Sequence, residues 1–476
     1  MEVPQNDHAH GIEQYELSSM QDDPDAKGTS TPATTYTRSS SRAALHSQDP
    51  QEGATVQELP PIDRGIKAWT FCFSAFVLEM MVWGFSFSYG IFQDYYTSHP
   101  PFENSSSIAI AAVGTVALAL QYGESIFLSF VYGRYPDFMR TGMWAGLLLY
   151  FTSLFCSSFA TEVWQLILLQ GVGVGIGGGL LYMPVIQLIP EWFSERRGLA
   201  GGIIFAGTGL GGFVFPFVLN VLLDKVGLGW TLRIWAISTS LFSGIALLGM
   251  RNRLPVPKFT ALNRRPRFIP PHIGFVRNPL FWTFAITNML QGLSYFPVSL
   301  YIATFTRNVA NQLTATIVLA LFNSSAVVGQ IIMGHLSDRF PYPSIMVFSA
   351  LGSALSAFFL WGFADAAIFL YFFAVIFGGL SGGFSSTWPN AAVESVGGQV
   401  EYAGMSFAGT AFFKGISAVI GPVISGLLLQ SGNGASLGGG FGKFGYGAVE
   451  IFVGSCALAT GAGSVAVAFA RRRVQP

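Results

Sequence analysis

Three ionisable side chains lie inside long apolar stretches of this 476-residue chain: Glu79, Glu124 and Lys414. A charge at membrane depth is costly, so such groups are retained chiefly where they bind a substrate, an ion or a proton. One hypothesis is that Glu124 and Lys414 pair to close a gate. Another is that Glu79 or Glu124 binds a proton while Lys414 holds a substrate carboxylate. The competing interpretation is that each group snorkels or bonds a backbone carbonyl within one bundle of helices.

Aromatic rings and neutral hydrogen-bonding groups recur in the same apolar stretches. Tyr295 follows Gln291 by four residues, which places both on one face of a helix. Rings combined with neutral polar groups suit an organic solute better than an inorganic ion, although ordinary helix packing also uses them. The candidates for a substrate path are Trp83, Tyr89, Gln93, Tyr182, Asn288, Gln291, Tyr295, Gln330 and Trp388.

The elements that must position these side chains are membrane helices. Hydrophobic residues make up 51% of the chain and charged residues only 11%, with a mean hydropathy of +0.49, whereas soluble domains carry roughly 25% charge. Apolar runs long enough to cross a hydrocarbon core of roughly 30 Å recur after Trp69. They predict twelve helices, near 68–92, 107–131, 142–160, 164–189, 199–223, 230–250, 280–304, 313–333, 344–363, 366–388, 404–430 and 446–470.

The positive charges indicate how these helices are oriented. Of the 25 Lys and Arg, all but five fall in segments that are cytoplasmic if the N-terminus is inside. The exceptions are Lys225, Arg233, Arg307 and Lys443 on the other side, and Lys414 within a helix. Because cytoplasmic loops are enriched in Lys and Arg, both termini are predicted to be cytoplasmic.

Composition divides the chain into five parts. Residues 1–64 are rich in Gln, Asp, Ser, Thr and Pro and predict a disordered cytoplasmic tail. Two six-helix bundles follow, 65–250 and 280–471, joined by a basic cytoplasmic linker, 251–279, and followed by a short cytoplasmic end, 472–476. The net charge of zero gives no reason to expect a nucleic-acid partner, and no motif indicates a cofactor or a metal site. The sequon at Asn104 falls in the first outer loop, where glycosylation is topologically allowed and chance occurrence is an equal explanation.

A short motif repeats at equivalent places in the two bundles. Gly133 and Asp137 end the second helix, and Gly334, Asp338 and Arg339 end the eighth. A glycine lets the chain pass close to a partner helix, and an Asp beside a helix N-terminus is favoured by the helix dipole. Two such motifs in a pattern of six and six helices indicate an internal repeat and predict conformational-gate loops.

Over residues 62–471 the chain resembles the major facilitator superfamily. The stretch from Trp192 through Arg196 and Arg197 to Gly211 resembles the helix 4–5 signature of its monocarboxylate-transporter-like family. A second signature, at the entry to helix 1, is retained only as Asp63, one Gly and Trp69. The first repeated loop also departs from the superfamily pattern, with Phe138 where a basic residue is usual. The resemblance therefore indicates a divergent, fungal-type branch.

The resemblance implies a substrate site near the midplane between the two bundles, with alternating access. Gln93, Ala326 and Gln330 stand where proton-coupled monocarboxylate carriers hold a Lys, an Asp and an Arg. The usual carboxylate clamp is thus absent, and a larger, less charged or aromatic solute becomes the expectation. We expect a secondary active or facilitative transporter, monomeric and not an enzyme, that moves an organic acid, aromatic compound or secondary metabolite across the plasma membrane. Uptake and efflux both stay open, as does coupling to protons, and the alternative is a non-transporting nutrient sensor on the same fold.

Overall fold

The computed structural model of the chain describes residues 59–256, 259–260, 264–269, 273–431 and 440–474. Within these ranges the regular elements are helices and no strand occurs. Nine of the described helices are long and apolar enough to cross a membrane. One of them, Arg197–Gly249, has 53 residues and contains two spans, because Gly227 breaks it with a positive φ of 72°. Met139–Ser157 and Pro279–Val309 are also of spanning length but carry more polar residues.

The described part of the chain therefore forms an all-α membrane protein with twelve spans in two six-helix halves, as predicted. The spans are α1 Gly65–Ser98, α2 Ser107–Arg134, α3 Met139–Ser157, α4 Val163–Trp192, α5 197–226, α6 228–249, α7 Pro279–Val309, α8 Gln312–Arg339, α9 Tyr342–Trp361, α10 Ala367–Ser395, α11 Val400–Ser431 and α12 Gly447–Val474. The predicted ends differ mostly by a few residues. The largest difference is at α10, which continues through Trp388 to Ser395.

Local sequence explains where several helices begin. The Asn278 side chain accepts a hydrogen bond from Leu280 N, and Pro279 occupies the first helical position, where its missing N–H would have had no helical partner. The Asn311 side chain accepts from Thr314 N in the same way at α8. Such caps satisfy N–H groups that the first turn leaves free. These caps explain why α7 and α8 begin where they do.

Large apolar side chains cover the outside of the helical assembly. Phe127, Phe242, Phe359 and Phe469 are half exposed or more, although the interior holds many other rings. An apolar exterior is what a lipid bilayer requires and what water would penalise.

The apolar core divides unequally between the two ends of the assembly. We call the end at which α6 finishes and α7 begins the linker side. Here one continuous cluster of buried residues joins both halves, with α1, α2, α4 and α5 packed against α7, α10 and α11. At the opposite end each half has its own separate cluster, one around Phe92 and Tyr96 and one around Phe305 and Trp361. The halves are therefore packed together at the linker side and apart at the other.

The glycines of α5 allow it to touch a helix of each half. A Cβ on Gly207 would overlap the carbonyl oxygen of Phe76 in α1, and one on Gly211 would lie 2.6 Å from Gly84 Cα. A Cβ on Gly202 would overlap the carbonyl oxygen of Gln330 in α8. These backbones lie too close for any side chain between them. α5 is thus the helix about which the two halves meet.

The first and third predicted segments are only partly described. The predicted disordered tail, 1–64, lies outside the described residues as far as Glu58. Its described end is fixed, because Asp63 is buried and its carboxylate accepts from the N–H groups of Ser194, Glu195 and Arg196. Asp63 itself has a φ of 59°, a left-handed conformation that Asp tolerates better than most residues. The linker binds the first half through Arg265, as set out below.

Candidate functional site

A cavity of about 70 Å³ lies between the two halves. At about 10–15 Å³ per water position, it holds a few waters and is smaller than the 300–1,000 Å³ of most ligand pockets. Seven helices from the two halves, and Gln330 of α8, contribute residues to it. Its walls are formed by Glu79, Trp83, Phe87, Tyr122, Tyr182, Phe205, Thr208, Gln291, Tyr295, Phe296, Gln330, Ser381, Gly382, Ser385, Trp388 and Lys414.

The structure brings eight of the predicted path residues to this cavity. They are Glu79, Trp83, Tyr182, Gln291, Tyr295, Gln330, Trp388 and Lys414. Glu79 and Lys414 each stand 14 positions from the linker-side ends of their helices, which are 34 and 32 residues long. At 1.5 Å per residue both lie about 21 Å along their helices. The two ionisable groups therefore share one depth, near the middle of the spans.

Lys414 is held by an amide and surrounded by rings. Its ammonium donates to Gln291 Oε1, and Gln291 Nε2 donates to the carbonyl oxygen of Ser381 at 2.8 Å and to its hydroxyl at 3.0 Å. The ammonium nitrogen lies 5.5 Å from the centroid of Phe296, 5.7 Å from that of Trp388 and 6.0 Å from that of Tyr295. Ring faces attract a cation at this range. This end of the cavity is cationic and belongs to the second half.

Glu79 forms the opposite, acidic end in the first half. Thr208 Oγ1 donates to Glu79 Oε1 at 3.0 Å, while Oε2 has no partner among the described residues. One helical turn along, Trp83 packs against Tyr122 and Tyr182, with centroids 4.4 and 4.9 Å apart. The acidic group thus lies beside a cluster of three rings.

Four buried polar atoms on the cavity wall have no hydrogen-bond partner among the described residues. They are Glu79 Oε2, Trp83 Nε1, Gln330 Oε1 and Trp388 Nε1. Leaving a buried donor or acceptor unpaired costs roughly 1–3 kcal/mol. Two indole N–H donors and two oxygen acceptors, all on residues that line one cavity, are therefore a set that a polar organic solute could satisfy.

Four predicted path residues do not line the cavity: Tyr89, Gln93, Asn288 and Glu124. Tyr89 donates to the carbonyl oxygen of Ile110 at 2.6 Å and fills the space beside Gly114. Asn288 donates to Thr410 O at 3.1 Å and is fully buried between α7 and α11. Gln93 is half-buried near the end of α1 opposite the linker side.

Glu124 also lies away from the cavity, and no Glu124–Lys414 ion pair occurs among the described residues. Its carboxylate occupies the place that a Cβ on Gly179 of α4 would take, and its Oε1 is buried with no hydrogen-bond partner among the described residues. Gly179 thus makes room for Glu124 inside the first half. The gate formed by these two charges is not present in this conformation.

Several cavity residues were not predicted. Tyr122 is two positions before Glu124, and Phe296 is next to Tyr295, so both stand beside residues that the sequence does single out. Thr208 lies within the glycine-rich helix 5 stretch, where it looks like one more small packing residue. It stands three turns into α5, where no larger polar residue is near it in the sequence. That isolation is the signal that could have indicated a role in the cavity.

A second set of contacts closes the linker side below the cavity. Asp338 accepts from Gly198 N at 2.6 Å and Leu199 N at 2.8 Å, at the start of α5. Asp63 accepts from the N–H groups of Ser194, Glu195 and Arg196, just before α5. Two carboxylates therefore bind one helix N-terminus, where the helix dipole favours negative charge. A Cβ on Gly334 would overlap the carbonyl oxygen of Gly198. The two halves therefore touch here backbone to backbone.

The predicted arginines lie around this junction. Arg197 donates to the carbonyl oxygen of Phe193 and lies near the carboxylates of Asp63, Asp338 and Glu394. Arg196 contributes its backbone N–H to Asp63, and Arg339 is exposed in the last turn of α8. Asn104 is exposed in the connection between α1 and α2, at the end away from the linker side.

The equivalent loop of the first half contacts the linker instead. Asp137 accepts two hydrogen bonds from Arg265, at 2.6 and 2.8 Å, and the guanidinium lies 4.8 Å from the ring centroid of Tyr135. Arg134 donates to Pro266 O at 3.2 Å. A Cβ on Gly133 would approach only the terminal carbon of Met405, at 2.8 Å.

Comparison with known proteins agrees with this architecture. A family model described as Major Facilitator Superfamily matches residues 71–422. An MFS-type transporter of Gibberella zeae is 29% identical over 405 residues, covering 83% of this chain and 87% of the relative. The aspyridones efflux protein of Emericella nidulans is 28% identical, with 77% and 73% covered. The agnestins efflux protein of Paecilomyces divaricatus is 26% identical, with 89% and 92% covered.

Proposed function

The chain belongs to the major facilitator superfamily, and on that premise we propose that this multi-pass transporter exports an organic metabolite across the plasma membrane. The observation that carries the proposal is the cavity at mid-span, which is lined by rings and by residues of both halves that carry four unpartnered polar atoms. The solute is an organic acid, aromatic compound or secondary metabolite, and the protein works as a monomer.

The uneven core supports transport by alternating access. The halves share one cluster at the linker side and have separate clusters at the other, so the cavity is closed toward the linker. With both termini and the linker in the cytoplasm, this conformation is the one that faces outward. Rocking of one half against the other about α5 and α8 then exposes the same cavity to the cytoplasm.

Efflux is favoured over uptake by the relatives. Two of them are named as efflux proteins, for aspyridones and for agnestins. Uptake of a nutrient acid is the competing direction, and the experiment below separates the two.

A contact between two signature stretches supports placement in the monocarboxylate-transporter-like branch. Asp63 survives from the signature at the entry to helix 1, and its carboxylate binds the N–H groups of Ser194, Glu195 and Arg196 within the helix 4–5 signature. The two stretches, distant in sequence, thus form one junction. In this branch Gln330 takes the position of the missing Arg, and it lines the cavity with an amide oxygen that has no partner among the described residues.

We assign any proton binding to Glu79 rather than Glu124, because only Glu79 lines the cavity. A carboxyl group in contact with the solute can exchange its proton when the solute binds or leaves. Glu124, next to Gly179, has no such contact.

The test is flux of labelled aromatic and aliphatic acids in proteoliposomes holding the full chain, with and without a proton gradient. We expect saturable flux that Glu79→Gln and Lys414→Ala reduce at least about tenfold, since each removes a charged group from the site. Glu124→Gln, a buried carboxyl outside the cavity, is the matched control and should retain flux. Metabolite that accumulates in cells lacking the gene indicates export, and loss of accumulation from the medium indicates uptake. Absence of flux for every solute, or equal flux in all variants, contradicts the proposal.

A further inference from the structure

We propose that the solute is an aromatic anion that also carries a hydroxyl group, bound with its anionic end at Lys414 and its hydroxyl at Glu79. The inference rests on the proposed function and narrows it to one substrate class and one orientation. It follows from the absence of an anion beside Lys414, from the unpartnered oxygen of Glu79 and from the aromatic rings between these two residues.

Lys414 lacks an anion. A lysine ammonium has three N–H donors, and here one goes to the neutral oxygen of Gln291. No carboxylate of the described residues lies within 4.0 Å of this ammonium, and the residue is only 6% exposed. Buried charges are normally paired with an opposite charge. A carboxylate or an acidic enolate of the solute can supply it.

Gln291 orients the ammonium toward the cavity. Its amide nitrogen is fixed by two hydrogen bonds to Ser381, which leaves its oxygen to face Lys414. The faces of Phe296, Trp388 and Tyr295 occupy the surroundings of the ammonium. A hydrated inorganic anion would lose its water shell against these rings, whereas an aryl carboxylate brings its own ring to stack on them.

Glu79 lacks a donor. Thr208 satisfies one of its carboxyl oxygens, and the second has no partner among the described residues. A phenolic or alcoholic O–H of the solute would satisfy it. Glu79 and Lys414 line the same cavity without pairing. The cavity of about 70 Å³ holds only a few waters in this conformation, so a solute can bond both groups once the halves move apart to admit it.

Rings and indole N–H groups occupy the walls between the two ends. The ring of Tyr122 packs against Trp83 in the first half and lies 6.5 Å, centroid to centroid, from the ring of Phe296 in the second half. Neighbouring rings therefore connect one half to the other. The unpartnered Nε1 atoms of Trp83 and Trp388 are donors for further carbonyl or hydroxyl oxygens. A flat molecule with acceptors along its edge matches this wall better than a sugar or an aliphatic amine.

The test uses three probes of one shape: 6-hydroxy-2-naphthoate, its primary amide, and 2-naphthoate, which lacks the hydroxyl. Binding to the purified full chain in detergent is measured by calorimetry. The unaltered protein should bind the carboxylate about 10- to 100-fold tighter than the amide, the range expected for a hydrogen-bonded charge. Lys414→Met should abolish this preference, and Lys414→Arg should retain most of it. Glu79→Gln should reduce the preference for the hydroxylated probe over 2-naphthoate and leave the carboxylate preference unchanged.

The controls separate this inference from the function on which it rests. Glu124→Gln should show every preference of the unaltered protein, and size-exclusion profiles establish that each variant is folded. A carboxylate preference that persists in Lys414→Met overturns the proposed orientation. If the unaltered protein binds none of the probes but transports a neutral solute in proteoliposomes, the proposed substrate class is wrong. The proposal that the protein is an exporter is then unaffected. Absence of flux for all solutes contradicts the exporter itself.

Discussion

The loop that ends α8 binds the opposite half of the molecule, whereas the equivalent loop that ends α2 binds the linker. Asp338 is half-buried and accepts two backbone N–H groups at the start of α5. Asp137 is exposed and pairs with Arg265. The same residue types, at the same place in a repeated fold, therefore hold two different junctions.

The glycines of the two loops also differ in what they contact: one packs against a backbone and the other faces a side chain. Gly334 is buried against the backbone of Gly198 and Gly202, and a Cβ there would overlap a carbonyl oxygen. Gly133 is exposed and faces the end of a flexible Met405 side chain. A rigid backbone has to move to admit a methyl group, but a methionine end can rotate.

The two halves therefore meet at the linker side along two different contacts, which we call the α5–α8 seam and the α2–α11 seam. The α5–α8 seam is held by carboxylates on a helix N-terminus and by backbone contact. Among the described residues, the α2–α11 seam is held by packing and by one hydrogen bond, from Ser125 to the carbonyl oxygen of Ala408 at 3.1 Å. We infer that the α2–α11 seam separates first when the cavity opens toward the linker, because its contacts are fewer and softer. The following substitutions measure the contrast.

Gly334→Ala should have the largest effect. The added methyl group overlaps the carbonyl oxygen of Gly198, and overpacking of this kind costs about 1–3 kcal/mol. Strain at the closed seam should lower the thermal unfolding temperature of the purified protein and slow flux by about tenfold, which corresponds to about 1.4 kcal/mol. Unchanged stability and flux would show that the seam is looser than the structure indicates.

Asp338→Asn should come next. The amide keeps the shape of the side chain but removes the charge that the N-terminus of α5 favours, an effect of about 0.3–2 kcal/mol. The closed state should be less populated, so that flux changes severalfold while the protein still folds. Asp63 continues to bind the preceding N–H groups, which limits the loss. A double Asp63→Asn, Asp338→Asn variant should therefore lose more than the sum of the single changes, measured as the unfolding temperature.

How much of this could be predicted from the sequence depends on the kind of residue. The twelve spans follow from apolar runs, and eight cavity residues follow because polar and aromatic groups are conspicuous within those runs. The hypothesis of a Glu124–Lys414 pair depended on side-chain direction, which sequence does not contain. Gly179, 55 positions away, provides the space into which Glu124 turns. The difference between Asp137 and Asp338 is equally hidden, because it depends on which distant backbone each carboxylate meets.

Gly133→Ala is the matched counterpart of Gly334→Ala and should be nearly silent. The methyl group approaches only the terminal carbon of Met405, which has other rotamers. Both glycines lie in helices, where Ala is favoured over Gly by up to about 1 kcal/mol, so a small gain in unfolding temperature is expected. A loss as large as that of Gly334→Ala would mean that the two seams are alike and would remove the proposed order of opening.

Asp137→Asn should have the smallest effect on flux and a local effect on the linker. Arg265 holds the pKa of the Asp137 carboxyl below its usual range through a side-chain hydrogen bond. The carboxylate is thus charged at neutral pH, and its contribution is lost only as the pH falls through that lowered value. In the variant, trypsin should cleave after Arg267 about two- to fivefold faster, as expected for an exposed ion pair. Asp365→Asn, which breaks the exposed pair with Lys443 far from the linker, is the control and should leave this cleavage unchanged. The Asp137–Arg265 pair joins the linker to the first half, so equal cleavage in all three proteins would mean that other contacts, such as that of Arg134 with Pro266 O, hold this part of the linker. The α5–α8 seam would then be the only junction that the repeated Asp explains.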